Sequence, residues 1–474
     1  MIAWLVVSTS ALGKRQAEAP DEGAKALKDQ ALPPAADLSA QLAAERQERA
    51  RYGRKLEAAL VLCERLSRSV IYRAMRRFGL WSWAAEAIEA VAENQARPER
   101  RARPRNRPLR RILVSLVGLR PGGENGGSKI VALSLVRAMS RSWPDVELEV
   151  ATDAPDDLEA ELPAAANLTI RRYGARFDAS DADLLFCPLT SIPAGLAADL
   201  PVVTIVYDLQ HRHYPQFFGD DERAAREADL RRACRMSTAV VCISEFVRST
   251  IVETGYAPPE RVVAIPLTLQ EDPAGEAVAL EPPLGLDAET YLLYPANFWP
   301  HKNHEMLLTA LGVYFRERPA SRLKVVLTGH PCARSQALEK AAQAMGLGER
   351  VLFAGDLSRD DLSALLHGAK ALVFPSLYEG YGMPVAEALA AGRPALVSDV
   401  PALREVAGDA ALFFDPRNPQ AIAASIAAFE DDTPLAEDLS RRARERARAL
   451  GRIDDVVSSY REAFDQAAGV ARSA

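Results

Sequence analysis

Beyond Arg110 one pattern repeats: a short β-branched apolar run, then a longer stretch with helical spacing. Strands are expected at Ile112–Val117, Val146–Ala151, Leu184–Phe186, Val202–Val206, Ala239–Ile243 and Val262–Ile265. A second series follows at Tyr291–Tyr294, Leu323–Leu327, Val351–Ala354, Ala371–Phe374, Ala395–Val397 and Ala411–Phe414, with helical stretches such as Lys129–Met139 and Met306–Arg316 between. Runs this uniformly apolar bury both faces, which requires parallel strands covered by helices above and below. Two series imply an α/β chain of two doubly wound, Rossmann-like domains facing across a cleft, spanning residues 110–280 and 281–474. Their junction falls near Glu271–Glu289, where Pro, Gly and acidic residues gather. The last helix is a candidate to return to the first domain. In this architecture ligands sit beyond the carboxyl ends of strands at the switch point, so the cleft is the expected site.

Residues 1–109 read differently, as a partly helical N-terminal extension. Pro33-Pro34 and abundant Ala, Glu, Lys and Arg mark a leader, and Tyr52, Leu56, Ala59, Cys63, Leu66 and Val70 keep a seven-residue rhythm. That rhythm suits a short coiled coil or a helix packed on the body. The stretch Arg73–Trp83 is basic and aromatic, suited to docking on its own domain or to a membrane interface. Between Arg97 and Arg111 eight arginines and one glutamate give a local charge of +7 against −6 for the whole chain. The remainder is therefore acidic and a poor partner for nucleic acid. Pro98, Pro104 and Pro108 make this segment a tether rather than a helix. Met1–Val7 is too short for a convincing secretory signal, and five cysteines without a CxxC pair suit a reducing compartment. The expectation is a cytoplasmic protein, with residues 70–111 offering peripheral membrane contact.

Four loops hold chemistry-bearing residues. In Phe374–Pro394, Glu379 lies in a glycine-containing loop after a strand, and Glu387 lies eight positions on, in the first turn of a helix with Pro384 at its start. Gly380 and Gly382 let a ligand approach the backbone, and the amides of Gly382 and Met383 at the helix start suit an anion. Two carboxylates beside an anion site make sense as acceptors for paired hydroxyls, which sugars and riboses offer; an ordinary loop glutamate and a helix-start glutamate are the plainer alternative. In Tyr294–His304, Lys302 is a compact cation between a strand and a helix. In Arg120–Lys129, Gly126 and Gly127 open a turn whose amides can reach an anion. In Val206–Phe218, Asp208 and His211 follow a strand end, where they could bond sugar hydroxyls. A metal reading of His211 and His213 lacks a third ligand. Asp181 and Asp183 read as surface acids, Ser244 as a helix N-cap, and Gly329-His330 as a turn or a pocket wall.

The Glu-Gly-Tyr-Gly-Met-Pro block with its second glutamate resembles the E-x7-E signature of retaining GT-B glycosyltransferases, specifically glycosyltransferase family 4. The resemblance runs from Arg111 to Phe464. It implies that Glu379 contacts the transferred sugar, Glu387 the ribose, Lys302 the diphosphate, and Gly126, Gly127, Gly380, Gly382 and Met383 the donor backbone contacts, with Asp208 and His211 across the cleft. Two positions depart from the family. Asn297 stands where many members carry an arginine, and Tyr207 where many carry a histidine.

The resemblance implies a retaining, metal-independent hexosyltransferase for mannose-like or glucose-like sugars. A nucleotide-diphosphate sugar would be its co-substrate, with no other cofactor. The acceptor would be a glycan or glycolipid hydroxyl, in cell-surface polysaccharide synthesis. The departures keep open a catalytically inactive nucleotide-sugar binding scaffold. A phosphorylase or epimerase on the same fold is a third reading.

Overall fold

The computed structural model describes residues 108–119, 126–162, 164–174, 181–193, 200–268 and 283–469. The coiled-coil rhythm, the Arg73–Trp83 patch, nearly all of the arginine tether and residues 271–282 of the domain junction lie outside these residues.

The first sheet has seven parallel strands: β1 (Arg111–Ser115), β2 (Glu147–Thr152), β3 (Leu168–Arg172), β4 (Leu184–Cys187), β5 (Val202–Val206), β6 (Ala239–Cys242) and β7 (Val262–Ala264), in the order β3-β2-β1-β4-β5-β6-β7. The second has six: β8 (Tyr291–Pro295), β9 (Lys324–Thr328), β10 (Val351–Gly355), β11 (Ala371–Phe374), β12 (Ala395–Ser398) and β13 (Ala411–Phe414), in the order β10-β9-β8-β11-β12-β13. Register is set by buried apolar pairs, among them Ile112 beside Leu184 and Leu293 beside Leu372. Each order reverses once, between β1 and β4 and between β8 and β11. The loops after β8 and β11 are the ones carrying Lys302 and Glu379, so the switch point of the second sheet collects both.

The central strands β4, β5, β11 and β12 are buried at every residue, as their uninterrupted apolar composition requires. The expectations missed β3. It sits at the sheet edge, and its sequence Leu-Thr-Ile-Arg-Arg carries two apolar residues and leaves three side chains exposed. An edge strand buries one face at most, so it lacks the continuous apolar run of the others. Asp183 also corrects a sequence expectation. It is 4% exposed rather than a surface acid, and its carboxylate accepts the Arg110 and Arg111 amides at 2.9 and 3.0 Å, pinning the start of β1.

Two features join the halves. The helix Ile453–Ala468 follows the second sheet in the chain yet packs on the first. Phe464 lies 4.9 Å from the Phe186 ring of β4 and 5.8 Å from Trp143, and Tyr460 lies 5.9 Å from Phe186. Nearer the cleft, the loop after β11 is sewn to the ends of β5 and β6. The Ser244 hydroxyl, which also caps the helix Glu245–Glu253 by accepting the Val247 amide, donates to the Gly380 carbonyl at 2.6 Å. The Glu405 carboxylate accepts the Glu245 and Phe246 amides at 2.7 and 3.1 Å, so that helix start is capped from the other half. The Tyr378 hydroxyl accepts the Leu209 amide at 3.1 Å, and the Tyr214 hydroxyl donates to the Leu377 carbonyl at 3.0 Å. Gly380 has no room for a side chain: a Cβ there would stand 1.9 Å from the Tyr207 carbonyl oxygen.

Phe464→Ala should destabilise the protein by about 3–5 kcal/mol, the usual cost of emptying a buried aromatic site, seen as an earlier denaturant midpoint. Gly380→Ala should leave helix content by circular dichroism intact, because each half keeps its own sheet. Amide exchange should rise at residues 377–382 and 244–246 as the seam is forced apart, and unchanged exchange there would refute the close approach.

Candidate functional site

The loop after β8 forms a single helical turn, Pro300–Lys302, and then reverses through Asn303 at φ 63°. The Asn303 amide group holds that reversal by donating to the carbonyls of Pro375 and Pro416 at 2.9 and 2.8 Å. The Leu377 amide donates to the His301 carbonyl at 2.8 Å, so the lysine loop and the glutamate loop are bonded backbone to backbone. The Tyr294 hydroxyl bonds the Lys302 carbonyl, which fixes where the lysine leaves the main chain. Its side chain crosses to Glu379: Nζ donates to Oε1 at 2.6 Å, and each side chain is 12% exposed.

Glu379 sits between the buried Tyr378 and Gly380, both held by the seam. The helix Met383–Ala390 starts three residues past Gly380, with Gly382 as N-cap at φ 117°, a left-handed conformation that glycine adopts without strain. A side chain at Gly382 would also strike Leu403, its Cβ 2.4 Å from Cδ2. Pro384 has no N–H, and the amides of Val385 and Ala386 turn back to the Gly382 carbonyl. The Gly382 and Met383 amides are then the ones at this helix start that do not turn back into it. Glu387 is the fifth helical residue, one position past the first turn in which it was expected, because the helix starts at Met383. Burial pushes its carboxyl up to about 7, with the Arg359 charge pulling partly the other way.

Gly126 and Gly127 begin the helix Gly127–Ser142, with Gly126 as N-cap at φ 55°. Trp299 of the lysine loop lies over this turn: a Cβ on Gly126 would be 3.1 Å from Cη2 of the indole. Trp299 is 45% exposed and stacks on the buried His301 ring at 5.7 Å. The sequence reading did not single it out. Its exposure and its place over Gly126, more than 170 positions away, exist only in the folded chain.

Across the seam, Asp208 faces the glutamate loop, its Cβ 3.2 Å from where a Gly380 Cβ would stand, and its Oδ1 accepts the Gln210 amide at 2.9 Å. The structure does not bring His211 to this group. Its side chain is buried, and Nε2 pairs with Glu227 at 3.1 Å, a carboxylate also bonded by Tyr256 and Arg231. His213 stacks on Tyr378 of the glutamate loop at 5.0 Å, so the two imidazoles take different partners. Both departures from the family pattern have structural employment. Tyr207 turns into the first half, its hydroxyl donating to the Pro188 carbonyl at 2.7 Å and kept un-ionised by burial. Asn297 accepts the His330 amide at 3.0 Å and so shapes the turn at Gly329, where a Cβ would lie 2.6 Å from the Ala296 oxygen. His330 is exposed and pairs with Asp356 at 2.6 Å. The sequence identifies Ser244 as the N-cap it is but not its bond to Gly380, and it gives no sign of Tyr378 or Glu405, because these partners lie 136 to 169 positions away in the chain.

This geometry agrees with what the chain resembles. Residues 281–446 match the model of glycosyl transferases group 1, and residues 125–269 match that of glycosyltransferase family 4. An O-antigen chain mannosyltransferase B of Escherichia coli is 29% identical over 49% of this chain and 62% of its own length. A D-inositol 3-phosphate glycosyltransferase of Streptomyces avermitilis is 30% identical over 38% of this chain and 40% of its own length. The chain thus spans 40% to 62% of the length of these two relatives. Among solved structures, sucrose-phosphate synthase from Thermosynechococcus elongatus superposes with a TM-score of 0.60 at 19% identity, covering 75% of this chain and 98% of that one. Anabaena Alr3699/HepE, solved with UDP and glucose, gives 0.58 at 16% identity, covering 75% and 98%. The family 4 and group 1 models take in β2–β7 and β8–β13 respectively, and the chain belongs to the group 1, family 4 glycosyltransferases of GT-B fold.

Proposed function

We propose that the chain transfers a mannose-like or glucose-like hexose from a nucleotide-diphosphate sugar to a hydroxyl of a glycan or glycolipid, in cell-surface polysaccharide synthesis. The observation that carries this reading is the convergence of Lys302, Glu379 and the Gly382 helix start on one switch point, with Asp208 opposite. In this scheme Lys302 and the amides of Gly382, Met383, Gly126 and Gly127 hold the diphosphate. Glu379 accepts sugar hydroxyls and Glu387 the ribose pair. Positive groups placed where charge gathers on the departing diphosphate lower the barrier without needing a protein nucleophile. The bond from C1 to the phosphate oxygen breaks, the acceptor oxygen bonds C1 on the same face, and the acceptor proton passes to the departing phosphate. Configuration is then retained and no metal is called for. That HepE was solved with UDP-glucose supports a nucleotide sugar as donor. On this reading the enzyme works on the cytoplasmic side, touching the membrane through residues 70–111.

The scaffold reading has one specific support. Asn297 and Tyr207, which replace an arginine and a histidine, are both engaged in the protein's own hydrogen bonds. Acceptor-dependent release of nucleotide separates the two, since a binder does not turn over.

A panel of UDP-, GDP-, ADP- and dTDP-sugars, read by thermal shift and nucleotide release, tests the donor site. One nucleotide class should stabilise the wild type. Lys302→Ala should weaken that class roughly 10- to 100-fold, the range for losing a hydrogen bond to a charged group. Binding should also depend on pH through Glu387. Ribose hydroxyls donate to the ionised carboxylate, while the empty cleft holds it protonated below about 7. Affinity for the nucleotide sugar should therefore fall as pH drops below about 7, approaching tenfold per unit. Glu387→Gln should flatten this profile, since its amide does not titrate. A wild-type profile that is flat from pH 5.5 to 8.5 would remove Glu387 from the site.

A further inference from the structure

Lys302 and Glu379 are needed by a bound donor at the same moment, one by the diphosphate and the other by the sugar. In the empty cleft they bond each other at 2.6 Å with little exposure. Their backbones are held. The lysine loop is held by Asn303 on the Pro375 and Pro416 carbonyls and by Tyr294 on the Lys302 carbonyl, and the glutamate loop by Leu377, Tyr378 and Gly380. Both side chains must change partners in place.

We propose that this pair is an exchange switch that discriminates against the spent nucleoside diphosphate and drives its release. The inference rests on the donor-site reading above. With a nucleotide sugar bound, both charges are answered: the diphosphate takes Lys302, and sugar hydroxyls donate to Glu379. After transfer the diphosphate still claims Lys302, but the hydroxyls are gone. Glu379 is then a poorly hydrated carboxylate without a donor, beside a terminal phosphate that has gained a second ionisation with a pKa near 6. The like charges repel strongly because the side chains are shielded from water. Glu379 regains its partner only when the diphosphate leaves and Lys302 returns. The same carboxylate thus favours the donor and opposes the product, and it does so through Lys302.

The test is isothermal titration at pH 8 and fixed salt with UDP, GDP, ADP and dTDP, and with the matching nucleotide sugar. Wild type is compared with Glu379→Gln, Glu379→Asp, Lys302→Ala and the Lys302→Ala/Glu379→Gln double variant, each checked for an unchanged circular dichroism spectrum. Glu379→Gln should bind the nucleoside diphosphate about tenfold more tightly than wild type. It should bind the nucleotide sugar no more tightly. The shorter Glu379→Asp, which retreats from Nζ, should show a smaller gain and serves if the glutamine variant does not fold. Adding Glu379→Gln to Lys302→Ala should give a clearly smaller gain, because relief of the repulsion remains but no ion pair is exchanged. If Glu379→Gln leaves diphosphate affinity unchanged or weaker, or if the gain is undiminished without Lys302, the switch is overturned while the donor site stands. If wild type binds none of the four nucleotides, the donor-site reading fails and takes this inference with it.

Discussion

The backbone of Gly380 lies against the Tyr207 carbonyl with no space for even one carbon between them, and much of the cleft depends on that contact. It brings the loop after β11 onto the end of β5, where Ser244 and the Leu209 amide bond it from the first half. Glu379 is then flanked on both sides by residues that cannot move independently. A long flexible side chain acquires a defined position because its neighbours are over-determined, the condition for a preorganised site. The helix Ile453–Ala468 complements the seam from behind by placing the end of the chain on the first sheet.

Electrostatically the cleft is sparing. Lys302 and Glu379 neutralise each other in the absence of ligand, and Glu387 leans toward its protonated form because of burial. The His301 and His304 rings beside the lysine are held neutral by burial and by the nearby positive charges. The lysine, its glutamate partner and these rings therefore add little net charge to the site. The two departures from the family pattern fit this economy. Tyr207 and Asn297 brace the Pro188 backbone and the Gly329 turn with neutral hydrogen bonds. Trp299 spans the same opening as an exposed ring over Gly126.

What the sequence made legible follows from how local each signal is. Twelve of thirteen strands could be seen because central parallel strands are buried on both faces and so read as unbroken apolar runs. The edge strand β3 breaks that rule with its two arginines. Gly380, Gly382 and Pro384 could be read as a turn into a helix because backbone geometry restricts those positions to a few residue types. Asp183 misled for the opposite reason: an acidic residue looks exposed until the amides it accepts, more than 70 positions back in the chain, are known. His211 likewise looked free until the helix carrying Glu227 was placed beside it.

By itself, then, the sequence determined the two-sheet α/β architecture, the turns at the strand ends and which polar and glycine residues stand in the loops beyond them. Periodicity and glycine placement act over a few residues and survive in a linear reading. Only the tertiary structure decided which of those residues meet. That Lys302 pairs with Glu379 across 77 positions, that Glu405 caps a helix 160 positions away, and that His211 is engaged elsewhere are outcomes of packing. They depend on distances of a few ångströms between segments that the chain keeps far apart, and on burial that no single segment produces alone.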